Sequence, residues 1–193
     1  MKQIQDNLVP HYHYQSVDKI GIRDVMSWGV KAVAVDIDNT ICYDATAKFI
    51  GDCEKWIKNI IQSGIPVVIL SNATYLRAKK VADKLHIPFI ALANKPATSG
   101  FYKVAEMLDL KMEEIAFIGD QVFADVIGAN EAGGLSVLVE PTKTEISFYF
   151  FYKYRRFKER PVKKYIRALE EKSGVPHKVK DFVKVEKKEN EHQ

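Results

Sequence analysis

The chain is short of cysteine and of long apolar runs, and each shortage removes a class of protein. Its two cysteines, Cys42 and Cys53, have ten residues between them and no CxxC or Cys/His spacing, so neither a disulfide framework nor a zinc-ligand set is expected. Both read as reduced thiols, and nothing adjacent to Cys42 would lower its pKa. No run of about 18 apolar residues occurs, which excludes a transmembrane helix. The opening stretch MKQIQDNLVPHYHYQ has no apolar h-region of the signal-peptide kind. The expectation is a protein kept in the cytoplasm, at most peripheral to a membrane. His11 and His13 in PHYHY lack a neighbouring Cys, His or acid set and read as surface or packing residues, not as ligands.

What is present is enough for one substantial core. The chain has 193 residues, 47% of them hydrophobic, too few to make two domains the expectation. Charge divides it. Residues 141–193 hold 15 Lys/Arg against 8 Asp/Glu, leaving 14 against 17 in residues 1–140, so a mildly acidic body carries a basic tail. The expected organisation is an N-terminal extension packing on the core (1–29), the core (30–145) and a basic aromatic C-terminal extension (146–193).

Hydrophobic patterning gives the core its class. Residues 31–37 (KAVAVDI), 66–70 (PVVIL), 115–118 (IAFI) and 135–139 (LSVLV) are β-branched and apolar, as strands buried on both faces should be, and 87–91 (IPFIA) is a shorter candidate. Segments of helical spacing lie between them at 51–63, 74–85 and 98–110. Five strands with helical crossovers predict an α/β fold, a doubly wound parallel sheet whose strand C-termini share one edge.

That edge collects polar groups. The first strand runs into Asp36, Asp38, Asn39 and Thr40, with Asp44 close behind; the second ends in Ser71 and Asn72. The third leads to Lys95 and Pro96, and the fourth to Gly119, Asp120 and Gln121, with Asp125 beyond. Any one of these is explained as a turn residue or a helix cap. Four strand ends together are not. Clustered carboxylates repel one another and resist desolvation, so their gathering implies a cation among them.

In this order DIDNT, Ser71, Lys95 in KP and GDQVFAD resemble the four motifs of the haloacid dehalogenase superfamily of aspartyl-phosphate phosphatases. The spacing and the DNT, SNA, KP and GDQ wording are most similar to subfamily IIIA, the YqeG type, whose relatives include phosphatidylglycerophosphate phosphatases. The resemblance runs from about Val30 to Val139. It implies a Rossmann-like core and a Mg²⁺-dependent phosphomonoesterase with Asp36 as nucleophile and Asp38 as general acid and base. It further implies metal ligation by Asp36, Asp120 and the backbone carbonyl of Asp38, with Lys95 offsetting charge. Asn39, Thr40, Ser71, Asn72 and Lys95 are then the substrate-binding set. Asp125 stands between two readings, orienting the metal shell or opening a helical turn. Ala124, where Thr is common, and NTIC, where NTLV is usual, depart from the pattern and touch the substrate assignment more than the chemistry.

Only ICYDATAKFI separates the first motif from the helix at 51, so no substrate-covering cap fits there. An open site suits a bulky phosphorylated substrate, a lipid phosphate among them, better than a metabolite that must be enclosed. A soluble or protein substrate stays as an alternative, as does a non-catalytic adaptor working through the tail. In that tail, residues 146–169 interleave aromatics with basic groups, eight Lys/Arg against Glu159 alone between Lys153 and Arg167. Two helices split at Pro161 and packed on the sheet is one reading; a segment drawn to an anionic membrane surface is another, and nucleic-acid binding a third. No motif sets an oligomeric state.

Overall fold

A computed structural model describes residues 5–142 and 150–182, with side chains throughout except at 150–156. Six strands form one wholly parallel sheet: β1 (Tyr12–Tyr14), β2 (Ala32–Val35), β3 (Val67–Leu70), β4 (Phe89–Ile90), β5 (Ile115–Gly119) and β6 (Leu135–Val139), ordered β1-β6-β5-β2-β3-β4. The chain leaves β2 first toward β3 and β4, then returns on its other side to β5 and β6. Such a reversal opens a crevice at the C-terminal end of the central strand.

Strand periodicity assigns the two faces. Val33 and Val35 of β2, with Val67 and Ile69 of β3, meet α1 (Ile22–Ser27), α2 (Cys53–Gln62) and α3 (Tyr75–Leu85) through Val25, Trp56, Ile57, Ile60, Val81 and Leu85. Ala32 and Ala34, with Val68 and Leu70, meet α4 (Ser99–Leu108) and α5 (Ile127–Ala132) through Phe101, Val104 and Ala129. Every residue of β2, β3, β5 and β6 is buried, which is why these strands read as continuous apolar runs.

Two elements differ from expectation. The sheet has a sixth strand, β1, registered on β6 from Tyr12↔Val137 to Tyr14↔Val139. Its histidines are buried packing residues: the Ser136 N–H donates to His11 Nδ1 at 3.0 Å, and His13 lies between two carboxylates. The tail is one helix, α6 (Phe150–Ser173), with Pro161 inside it and not two helices parted there. A proline within a helix costs about 3 kcal/mol, and burial on both sides of it offsets that. Val162 and Ile166 pack with Val9, Val122, Val126 and Leu138, and Glu159 is 1% exposed. Of the aromatic and basic groups interleaved in the tail, Phe150, Tyr154, Arg155 and Arg156 lie outside the described side chains, and Phe157 is 64% exposed.

A charged knot fixes α6 to the sheet. Glu140, just past β6, meets His13 Nε2 at 3.2 Å, Lys163 Nζ at 3.0 Å and Arg167 Nη2 at 2.8 Å, while His13 Nδ1 meets Glu170 at 2.8 Å. Both imidazole nitrogens face carboxylates, so the ring is served best when doubly protonated. Burial opposes that charge, but Glu140 and Glu170 outweigh it and raise the His13 pKa above its ordinary 6.5. Hydrogen bonding from His13 in turn depresses the Glu140 carboxyl. The histidine contribution is therefore complete below about pH 6.5 and fades as pH rises through its raised value. The wild-type melting temperature should fall between pH 6 and pH 8 by more than that of His13→Gln, at about 2–4 °C per kcal/mol for a chain of this length. Equal falls in the two proteins would remove this account of the knot.

Candidate active site

The crevice is built from strand ends. β2 stops at Val35, and Asp36 stays in register because its N–H donates to the Ile118 carbonyl of β5 at 3.0 Å. The next residues turn tightly: Asn39 takes a left-handed φ of 56°, and the N–H groups of Ile41 and Cys42 return to the Ile37 carbonyl at 3.1 and 2.9 Å. The chain then folds back in a small hairpin, with Cys42 bridging Phe49. Asp36 is thereby held 5% exposed at the floor.

Lys95 arrives from the loop after β4 and is 6% exposed. Its ammonium donates to Asp36 Oδ1 at 2.9 Å, Asp125 Oδ1 at 2.6 Å and the Leu70 carbonyl at 2.9 Å, which uses all three of its protons. Burial alone would favour the neutral amine, yet Asp125 and Asp36 outweigh it and hold Lys95 charged. Asn72 secures the lysine backbone from both sides, accepting its N–H at 2.8 Å and donating to its carbonyl at 3.1 Å. Ser71, 1% exposed, accepts the Ala73 N–H at 3.2 Å.

Asp120 follows β5 directly and is fully buried. Beyond it the chain makes one wide π-type turn (Val122–Val126) in which the Val126 N–H reaches the Gln121 carbonyl at 3.3 Å. That turn aims Asp125 back over the strand end, where its Oδ2 accepts the Gln121 N–H at 3.0 Å. A Cβ at position 119 would stand 2.1 Å from the Asp125 carboxyl carbon, so Gly119 is what lets this carboxylate in. Burial pushes the Asp125 carboxyl up against the pull of Lys95.

Oxygens of Asp36, Asp120 and Asp125 come within 4.8 Å of one another, and all three residues are buried. Among the described side chains one ammonium, that of Lys95, touches this group of three carboxylates, at Asp36 and Asp125, in a site of low dielectric. One divalent cation is the group that such a donor set fits. Two further features mark the site as built for a ligand: the Thr40 hydroxyl and both amide heteroatoms of Asn39 are buried without a hydrogen-bond partner among the described residues. Leaving such groups unpaired costs about 1–3 kcal/mol each.

The Asp38 carboxylate stands apart from this trio. Arg77, on the first turns of α3, grips it with both terminal nitrogens, and the Ala45 N–H adds a bond of 3.2 Å. Arg77 also donates to the Thr46 carbonyl, tying the first-motif turn, the hairpin and α3 together. Sequence reading passed over Arg77 because it is one of four cations on that helix and only the fold shows which faces Asp38. Cys42 and Cys53 are fully buried, and burial pushes both thiols up to about 12, so they stay protonated at neutral pH. A cavity of about 340 Å³ lined by His11, Asn130, Lys180 and Phe182 lies near the start of β6, at the opposite edge of the sheet.

Comparison with known proteins shows the family of the chain. A family model described as mitochondrial PGP phosphatase matches residues 2–142. The chain is 30% identical over 176 residues to the probable phosphatase YqeG of Bacillus subtilis (strain 168), covering 89% of this chain and 94% of that one. An uncharacterized protein from Listeria monocytogenes serotype 4b superposes with a TM-score of 0.50 at 20% identity, over 63% of this chain and 87% of the other; at that identity the likeness speaks to the fold alone.

Proposed function

The chain belongs to the PGP phosphatase family and is a haloacid dehalogenase-type phosphomonoesterase, and from that premise we propose that it hydrolyses a lipid phosphate monoester such as phosphatidylglycerophosphate. Lys95, buried between Asp36 and Asp125 at the end of the central strand, is the observation that carries the reading. A phosphate dianion approaching Asp36 meets an ammonium already held in place. Catalysis of phosphoryl transfer comes mainly from such preorganised charge.

In this account an Asp36 oxygen attacks phosphorus, and the bond from phosphorus to the ester oxygen breaks. Asp38, turned from Arg77 toward the ester oxygen and protonated there, gives its proton to the departing alkoxide, leaving an aspartyl phosphate on Asp36. Asp38 then takes a proton from water, whose oxygen attacks the same phosphorus while the bond from phosphorus to the Asp36 oxygen breaks, freeing inorganic phosphate and the Asp36 carboxylate. Thr40 and Ser71 donate to the phosphoryl oxygens, and Asn39 stands beside them. Asn72 acts by fixing the Lys95 backbone. Asp36, Asp120 and the Asp38 backbone carbonyl, with Asp125 alongside, would hold Mg²⁺, which would offset the negative charge gathered there.

Lys95→Ala is expected to lower kcat about 10²- to 10³-fold, the usual cost of removing one preorganised charge-stabilising donor. Because it removes the ammonium held between buried Asp36 and Asp125, it should also lower the melting temperature. A loss of tenfold or less would show that another group carries this role. The substrate is tested by comparing phosphatidylglycerophosphate in mixed micelles with sugar, nucleotide and protein phosphates. The account predicts kcat/KM at least about tenfold higher for the lipid; equal or better use of a soluble phosphate would refute the lipid assignment and leave the phosphatase chemistry standing.

A further inference from the structure

Three of the most exposed large apolar side chains lie close together, whereas the others, Phe157 on α6 and Met26 on α1 among them, stand on separate elements. Leu76 is 80% exposed, Leu92 66% and Tyr75 55%. Tyr75 and Leu76 open α3 a few residues after Ser71; Leu92 lies three residues before Lys95. The Leu92 N–H donates to the Ala73 carbonyl at 3.0 Å, and the Tyr75 ring lies 5.3 Å from that of Phe89, so the two loops form one ledge at the crevice mouth. Scattered exposed leucines need no explanation, whereas a contiguous apolar patch marks a contact surface.

Backbone conformation sharpens the point. Leu92 adopts a φ of 50°, a left-handed geometry suited to Gly or Asn that costs a branched residue about 1–2 kcal/mol. The chain accepts that cost at a position where the side chain gains no burial. Charge supplies a smaller complement: of the cations on α3, Arg77 is taken by Asp38, Lys79 pairs with Asp83 at 2.6 Å and Lys84 donates to the Ala47 carbonyl at 2.8 Å, while Lys80 is exposed. Across the crevice, Glu159 of α6 accepts the Phe123 N–H at 3.4 Å, which sets exposed Phe157 and Arg160 on the other flank. Among the described residues no helix is long and apolar enough to cross a membrane, so they can meet a bilayer only from its surface.

We infer that the ledge of Tyr75, Leu76 and Leu92, backed by Lys80 of α3, docks the crevice mouth on an anionic lipid surface. The leucines enter the interfacial region and Lys80 pairs with a headgroup phosphate, as amphipathic anchors do. The inference rests on the lipid-phosphate reading and adds the face by which the substrate is reached. Basic tail residues are a weaker anchor than their number suggests, since Lys163 is 13% exposed and bound to Glu140.

The test compares wild type with the double variant Leu76→Gln, Leu92→Asn, chosen because Asn tolerates the left-handed backbone. Flotation with phosphatidylglycerol-containing vesicles should show binding by wild type, none to pure phosphatidylcholine, and at least about a tenfold loss in the variant. Hydrolysis of phosphatidylglycerophosphate in those vesicles should fall in parallel, while p-nitrophenyl phosphate hydrolysis stays unchanged and the melting temperature does not fall, since Asn relieves the left-handed strain at position 92. Wild-type vesicle binding that is absent, or unaltered in the variant, overturns the inference. So does a dimer in lipid-free buffer that the variant dissociates, because the ledge then covers a second copy of the chain. Failure to hydrolyse the lipid in detergent micelles, with p-nitrophenyl phosphate still cleaved, refutes the substrate reading instead, and vesicle binding then decides docking by itself.

Discussion

Asp36→Asn is expected to abolish turnover, by roughly 10⁴-fold or more, because the substitution removes the attacking oxygen and no neighbour stands in its place. The same substitution should not unfold the protein. Asparagine has the size of aspartate, keeps an oxygen for Lys95, and leaves Asp125 as the charged partner of that lysine. It also removes one of three buried carboxylates crowded within 4.8 Å. Without metal the variant should therefore melt at or above the wild-type temperature. Hydrolysis near the wild-type rate in this variant would remove Asp36 from the chemistry.

Removing divalent cations is expected to have an effect of the same order. EDTA should stop hydrolysis of lipid and soluble substrates alike, and added Mg²⁺ should restore it. The binding itself has a readout that does not depend on activity. A ligand present at 100 times its dissociation constant stabilises the folded state by about 2.7 kcal/mol, which for a chain of this length raises the melting temperature by roughly 5–10 °C. Asp36→Asn and Asp120→Asn should each lose most of that rise. A melting temperature indifferent to Mg²⁺, with full activity in EDTA, would mean that the negative charge gathered there is balanced by protonation of the carboxylates and not by a metal.

The parts legible in the sequence are those set by local pattern. β2, β3, β5 and β6 lie under helices on both faces, so they had to be continuous β-branched runs, and their C-terminal residues had to collect at one edge. The residues that escaped depend on distant partners. Tyr12–Tyr14 carries no strand signature of its own; its histidines are tolerable in the sheet only because Ser136, Glu140 and Glu170 supply their hydrogen bonds. Pro161 should break a helix judged locally, and it does not because Val162 and Ile166 are buried in the packing beneath. Asp125 could not be told from a helix-opening residue until the π-type turn aimed it at Lys95. Arg77 had no motif at all, and its pairing with Asp38 follows from α3 crossing over the hairpin.

A covalent phosphoryl group on Asp36 is the centre of this account, and chemical trapping reads it directly. Enzyme quenched during turnover and treated with borohydride should have its acyl phosphate reduced, converting the modified aspartate to homoserine. The tryptic peptide of residues 32–48 contains Asp36, Asp38 and Asp44, and fragmentation in the mass spectrometer separates the three. With p-nitrophenyl phosphate, whose leaving group needs no proton from Asp38, homoserine at position 36 alone, more abundant in Asp38→Asn because the second step is slowed, is the predicted result. Homoserine at another aspartate, or none in either protein while wild type turns over, would contradict it.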